Sequence, residues 1–255
     1  MGLARTLAIS SSLLASQLRG WRGTNAFRPV AKQPEKMLEL YEYEDCPYCR
    51  LVREVLTELD LDARIYPCPR GGARFRPRVK DLGGKFQFPF LVDPNTGRQM
   101  YESADIVAYL RETYAGRQTA PGFLDRRIKV ATSSLATIVR GRHGWRARPS
   151  RAPEQPLELF SFEASPFSRL VREVLCELEL PYVLRNTGKG HWKDLGPPSV
   201  RDRLHQSAKD TGRNRKLLFE RTGHVQLPYL IDPNTGTGMF ESADILRYLE
   251  KTYGA

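Results

Sequence analysis

Long apolar runs are missing from the 255 residues: none approaches the roughly 18 residues that a membrane-spanning helix needs. A transmembrane helix is thereby excluded, and the sequence reads as that of a soluble protein. Cysteine is scarce, four in all, too few for the disulfide framework of a small secreted domain. A reducing compartment is expected instead, the cytoplasm first. Histidine is equally scarce, again four, and there is one Cys-x-x-Cys, so the four-ligand set of a structural zinc is absent and no metal is expected. Acid is missing from the first 34 residues, which are rich in Ser and Arg. That composition alone suggests a transit peptide and an organellar stroma or matrix.

What is present begins with charge. The net +11 is concentrated in two segments: residues 1–37 carry six Lys/Arg against Glu35, and residues 117–156 carry nine against Asp125 and Glu154. These +5 and +7 leave about −1 for the rest, so the excess is not a property of the domains. The basic residues of the linker helices have no aromatic platforms interleaved among them, and a nucleic-acid partner is not expected.

The chain repeats itself. "LELYEYEDCPYCRLVREVLTELDL" (38–61) aligns with "LELFSFEASPFSRLVREVLCELEL" (157–180), and "FPFLVDPNTGRQMYESADIVAYLRETYAG" (88–116) with "LPYLIDPNTGTGMFESADILRYLEKTYGA" (227–255). The offset grows from 119 to 139, which locates a twenty-residue insertion in the second copy. "LARTLAISSSLLASQLRG" (3–20) also aligns with "LDRRIKVATSSLATIVRG" (124–141). A cleaved address has no reason to recur in mid-chain, so each repeat is expected to open with a structural helix packed on its own domain. The expected organisation is a basic helix and connector (1–37), a first domain (38–116), a second basic helix and linker (117–156), and a second domain (157–255).

Within one unit, "LELYEY" alternates as a strand, Pro47 starts a helix whose apolar face is Leu51, Val52, Val55, Leu56 and Leu59, and "ARIYP" is a second strand. A weak helix over Phe75 to Leu82, two strands joined by the turn residues 94–97, and a helix from Glu102 to Tyr114 follow. The order βαβαββα implies a mixed sheet. In the second copy the middle helix is expected to be longer, charged and superficial.

Cys-Pro-Tyr-Cys at a helix start, a later Phe-Pro leading into a strand, and Glu-Ser opening the last helix resemble the glutaredoxin branch of the thioredoxin fold, and equally the N-terminal domain of glutathione S-transferases. The fold class is therefore expected to be α/β, two tandem thioredoxin-like domains. The chain departs from those families in three ways: a second copy stands where a transferase has its all-helical domain, Asp45 replaces a basic residue, and the second copy carries Ser165 and Ser168 in place of both cysteines.

Cys46 precedes a helix, where unpaired N–H groups favour a thiolate. Arg50 and Arg53 are expected to add a field of the same sense, opposed by Asp45. Cys46 is read as the nucleophile and Cys49 as the resolving thiol. Cys68 offers either a mixed disulfide or an incidental buried thiol, and Cys176 is read as structural. The resemblance implies that Pro89 and Pro228 are cis and that Phe88 and Leu227 offer main-chain hydrogen bonds to glutathione. Tyr48 joins the first site. Glu102 and Ser103, and Glu241 and Ser242 in the second copy, either cap a helix or hold the glutamyl end of glutathione at its N-terminus. Ser165 is either an N-cap or a donor to a bound thiolate.

The expected function is a glutathione-dependent thiol–disulfide oxidoreductase, acting on a disulfide or glutathionylated partner with glutathione as cosubstrate. A glutathione transferase-like enzyme and a non-enzymatic glutathione-binding module are the alternatives.

Overall fold

The computed structural model describes residues 2–117, 123–194 and 212–255. Helix α1 (Leu3–Leu18) precedes β1 (Leu38–Glu42), α2 (Pro47–Glu58), β2 (Ala63–Pro67), α3 (Arg76–Gly83), β3 (Phe90–Asp93), β4 (Arg98–Met100) and α4 (Ser103–Ala115). The second half repeats that order: α5 (Phe123–Val139), β5 (Leu157–Ser161), α6 (Pro166–Glu177), β6 (Tyr182–Asn186), α7 (Arg213–Thr222), β7 (Tyr229–Asp232), β8 (Thr237–Phe240) and α8 (Ser242–Tyr253). Of the expected long middle helix, α7 is described and residues 195–211 lie outside the described residues. Among the described residues no helix is long and apolar enough to cross a membrane.

In each repeat the first two strands are parallel and the last two antiparallel, so each contributes a mixed four-stranded half-sheet. The halves join edge to edge. Strand β2 pairs antiparallel with its counterpart β6 through Ala63↔Leu184, Arg64↔Val183 and Ile65↔Tyr182. The result is one eight-stranded sheet in the order β4-β3-β1-β2-β6-β5-β7-β8. Antiparallel pairing of equivalent strands relates the repeats by a pseudo-two-fold axis, and each repeat covers an edge that the other would leave open.

Alternation along the strands builds the core. Leu38, Leu40 and Ile65 face α2 and α4 through Val52, Leu56, Ile106 and Leu110, and the same cluster runs on through Leu157, Leu159, Val171, Leu175 and Leu249 of the second repeat. Tyr41, Tyr66, Val79 and Phe90 pack on the opposite face, under α3.

Where α2 and α6 meet across the pseudo-two-fold, the contact is ionic. Arg50, Arg53, Arg169 and Arg172 are all about 1% exposed. Arg53 bonds Glu42 and Glu163 and lies 3.3 Å from Glu44, while Arg172 bonds Glu44 at 3.1 Å, Glu163 at 2.9 Å and the Ser161 hydroxyl at 3.0 Å. The symmetry is broken at one place: Glu42 of the first copy corresponds to Ser161 of the second. The third carboxylate is the one under strain, since burial pushes Glu42 up to about 7 against the pull of Arg53.

The opening helices differ from expectation. Helix α1 packs along α5 and onto α6 of the other repeat, and α5 packs onto α2. Ser12 and Ser16 donate to the carbonyls of Pro166 and Ala164, and Ser133 donates to that of Pro47. At its C-terminal end each helix also meets its own repeat, through Arg19 with Glu54 and Arg140 with Glu173, both at 2.7 Å. Serine is small enough for the helix to approach the start of α2 or α6, and its hydroxyl satisfies a carbonyl there. An alignment of the helices shows this small face but not which repeat it serves.

Candidate functional site

The first cleft forms at the end of the half-sheet where β1 stops and β3 begins. Register places Tyr41 opposite Phe90 and Leu91 opposite Met100, so Cys46 after β1, Pro89 before β3 and Glu102 after β4 gather at one end. Both the Phe88–Pro89 and Leu227–Pro228 peptide bonds are cis. Glu102 has φ 63° and ψ 111°, and Glu241 φ 66° and ψ 110°, a conformation unfavourable for a residue with a side chain. In each copy this residue turns the chain so that a helix opens with Ser103 or Ser242, and strained backbone of this kind is characteristic of ligand clamps. Gln87 donates to the Glu102 carboxylate, and Gln226 to that of Glu241, tying the cis-proline loop to the helix start.

Cys46 caps α2: its sulfur accepts the Cys49 N–H at 3.2 Å, and Pro47 occupies the first turn. Burial alone pushes the Cys46 thiol up, but hydrogen bonds from the Cys49 thiol and N–H and from the Tyr48 N–H outweigh it, and the net shift is downward. Cys49 moves the other way, well above the usual thiol value, through burial and the neighbouring sulfur. The two thiols are thus driven apart, one toward thiolate and one toward thiol. Cys46 is 2% exposed and Cys49 fully enclosed, whereas Tyr48 between them is 47% exposed. A disulfide partner therefore reaches Cys46 only when side chains at the cleft mouth move aside.

Two expectations about electrostatics are corrected. Arg53 is taken up by Glu42, Glu44 and Glu163, and Arg50 turns toward Glu163 at 3.8 Å and the Thr137 hydroxyl at 3.3 Å, so neither supplies the expected field at Cys46. Asp45 is raised to about 7, chiefly by burial, so it opposes a thiolate far less than a full charge would. The downward shift of Cys46 thus comes from local hydrogen bonds. Cys68 is fully buried, raised well above the usual thiol value by burial, and bonded to the Tyr66 carbonyl. Cys176 donates to the Gly144 carbonyl and accepts the Glu44 N–H.

Sequence reasoning passed over three residues. Tyr43 interacts with the Cys46 sulfur, and burial followed by the two thiols raises its hydroxyl, keeping it a proton donor. Its counterpart is Phe162. The signal was available: Tyr43, Cys46, Tyr48, Cys49 and Cys68 become Phe162, Ser165, Phe167, Ser168 and Thr187, so the groups around the sulfur were exchanged together. Arg76 places its guanidinium 4.8 Å from the centre of the Phe88 ring and donates to the Cys68 carbonyl at 2.9 Å, setting a cation beside the cis-proline loop. Gln87 is the third.

The second cleft retains the frame. Ser165 caps α6 by accepting the Ser168 N–H at 3.2 Å, and among the described residues the buried Ser168 hydroxyl has no hydrogen-bond partner. Leu227, Pro228, Glu241 and Ser242 repeat the first cleft's backbone.

The pattern described as "Glutathione S-transferase, N-terminal domain" matches the chain twice, over residues 40–118 and 159–255. The chain belongs to that family. This glutathione S-transferase N-terminal domain protein is a tandem one, with two thioredoxin-like units fused through a common sheet. No curated protein matches it. Among solved structures it is similar to Leishmania TDR1, described as a unique trimeric glutathione transferase, with 13% identity over 85% of this chain and 67% of that one. The TM-score is 0.30, and neither activity nor assembly carries over at that level.

Proposed function

We propose that the protein is a glutathione-dependent thiol–disulfide oxidoreductase working through Cys46, with Cys49 as resolving thiol. The observation that carries this reading is the divergence of the two thiols at the start of α2, Cys46 lowered and Cys49 raised, beside the cis Phe88–Pro89 bond. The Cys46 thiolate attacks the glutathione-side sulfur of a glutathionylated cysteine; that S–S bond breaks, the substrate sulfur leaves and takes a proton from solvent. A second glutathione thiolate then attacks the glutathione sulfur of the mixed disulfide, releasing Cys46 and glutathione disulfide. On a protein disulfide, Cys49 gives up its proton and attacks Cys46 to release the dithiol, and two glutathiones restore the pair.

Phe88 is assigned to main-chain bonding of glutathione. Ser103 and the α4 N-terminus are assigned to its glutamyl carboxylate, Glu102 to its amine and Arg76 to a further carboxylate. The common backbone of the second cleft supports a glutathione site there too, around Ser165, Leu227, Pro228, Glu241 and Ser242, without thiol exchange.

Reduction of a glutathionylated peptide tests the assignment. Cys46→Ser is expected to lose activity by about 100-fold or more, while Cys49→Ser keeps the monothiol route. Undiminished turnover by Cys46→Ser would sink it, and haloarene conjugation surviving in that variant would favour the transferase reading. Calorimetry on the whole chain is expected to give two glutathiones bound; a stoichiometry of one removes the second site.

A further inference from the structure

We propose that the outward face of the α1–α5 helix pair docks on the surface of an anionic lipid bilayer. The two helices run antiparallel: Arg19 at the end of α1 donates to the Lys129 carbonyl of α5, and Arg140 at the end of α5 donates to the Ala8 carbonyl of α1. Their small faces, with Ser12 and Ser16 on one helix and Ser133 on the other, are used against α6 and α2. That leaves the large apolar residues outside, the reverse of an ordinary surface helix.

The outward stripe recurs in the second copy, where Ser10 and Gln17 give way to Ala131 and Ile138. Positions 3, 7, 10, 14 and 17 are Leu, Leu, Ser, Leu and Gln, and their equivalents 124, 128, 131, 135 and 138 are Leu, Ile, Ala, Leu and Ile. Spacing of four and three keeps each set on one helical face. Leu3 is 77% exposed, Leu124 70% and Ile138 72%, with Leu7, Leu14, Ile128 and Leu135 also exposed. Together with Leu13 they make eight large apolar side chains exposed on one pair of helices, more than the singly scattered surface hydrophobics that need no explanation.

Charge chooses the occupant. Arg5, Arg126, Arg127 and Lys129 stand on these helices against the single acid Asp125, which Lys129 already binds, and α1 has no acid at all. Arg22 and Arg142 are exposed just beyond the two C-terminal ends, and Trp21 is 41% exposed beside Arg22. A second copy on this face would bring cations against cations. An anionic bilayer instead takes the leucine and isoleucine stripes between its headgroups, and the Arg stems extend to the lipid phosphates.

Co-sedimentation of the full chain with phosphatidylcholine vesicles, with and without phosphatidylglycerol, tests it. Binding is expected with the anionic vesicles, weakening as salt rises. Leu7→Glu with Ile128→Glu should lower partitioning about tenfold or more, and Arg22→Glu with Arg126→Glu by a similar factor, since each cation near an anionic surface contributes roughly fivefold. All four side chains are exposed, and unchanged thermal melting of both variants confirms that they fold. Absence of binding to anionic vesicles, or equal binding by wild type and both variants, would overturn the proposal. So would a stable dimer in solution that Leu7→Glu dissolves, because the face would then be covered by a second copy.

Discussion

Replacing Glu163 by Gln probes the join between the two repeats. Glu163 belongs to the second repeat, is 3% exposed, and lies 2.9 Å from Arg53 of the first repeat, 2.9 Å from Arg172, and 3.8 Å from Arg50. Glutamine keeps the shape and removes the charge. Loss of one partner from a buried ion pair costs about 3–5 kcal/mol. Arg53 retains Glu42 and Glu44, and Arg172 retains Glu44, so the lower end, about 3 kcal/mol, is expected here. In a chain of this size that corresponds to a fall in Tm of roughly 6–12 °C. Scanning calorimetry should show a single transition moving as a whole, because the seam and the β2–β6 pairing make the repeats one cooperative unit. The matched control is Glu250→Gln, which removes the half-exposed partner of Arg148 and should change little. A shift below about 2 °C, or two resolved transitions of which one stays in place, would refute the cooperative seam.

Because burial raises Glu42 to about 7 from its ordinary value of 4.5, its protonated form is favoured in the folded state; its contribution is full below pH 4.5 and is lost as pH rises through 7. Stability of the wild type should therefore decline over that window, and Glu42→Gln should flatten the decline; an unchanged pH profile in urea titrations would count against the shift. The lowered Cys46 thiol should alkylate with an inflection below the usual thiol range of about 8.5. Its 2% exposure predicts that iodoacetamide reacts well ahead of a bulky aromatic disulfide, measured on Cys49→Ser protein; equal rates would show the cleft mouth to be open.

Much of the fold could be read from local pattern. Alternation in "LELYEY", the proline in the first turn of α2 and the turn residues 94–97 act over a few residues, so they identify elements without knowledge of what packs on them. Cys46, Pro89 and Glu102 could be gathered into one cleft only because their order resembles a known family; nothing in residues 46, 89 and 102 themselves says that they meet. Tyr43 and Arg76 were overlooked for the same reason, since each earns its place through a neighbour distant in sequence. The arginines of "RLVREVL" were misread as a field around Cys46. On a helical wheel Arg50 and Arg53 form a polar face, and such a face looks the same whether it meets water or a partner's carboxylates.

The duplication, the βαβαββα order of each copy and the confinement of the Cys-x-x-Cys to the first are legible in the amino-acid order. These follow from periodicity and from residue identity, which are properties of the chain alone. Folding adds that the two copies share one sheet, that each opening helix serves the other repeat, and that four arginines of α2 and α6 are buried. Those outcomes depend on which surfaces complement each other once folded. Arg53 and Arg172 are tolerable because carboxylates from both repeats converge on them, and Arg169 because Ser12 and Ser16 of α1 accept its hydrogen bonds; both arrangements exist in three dimensions alone.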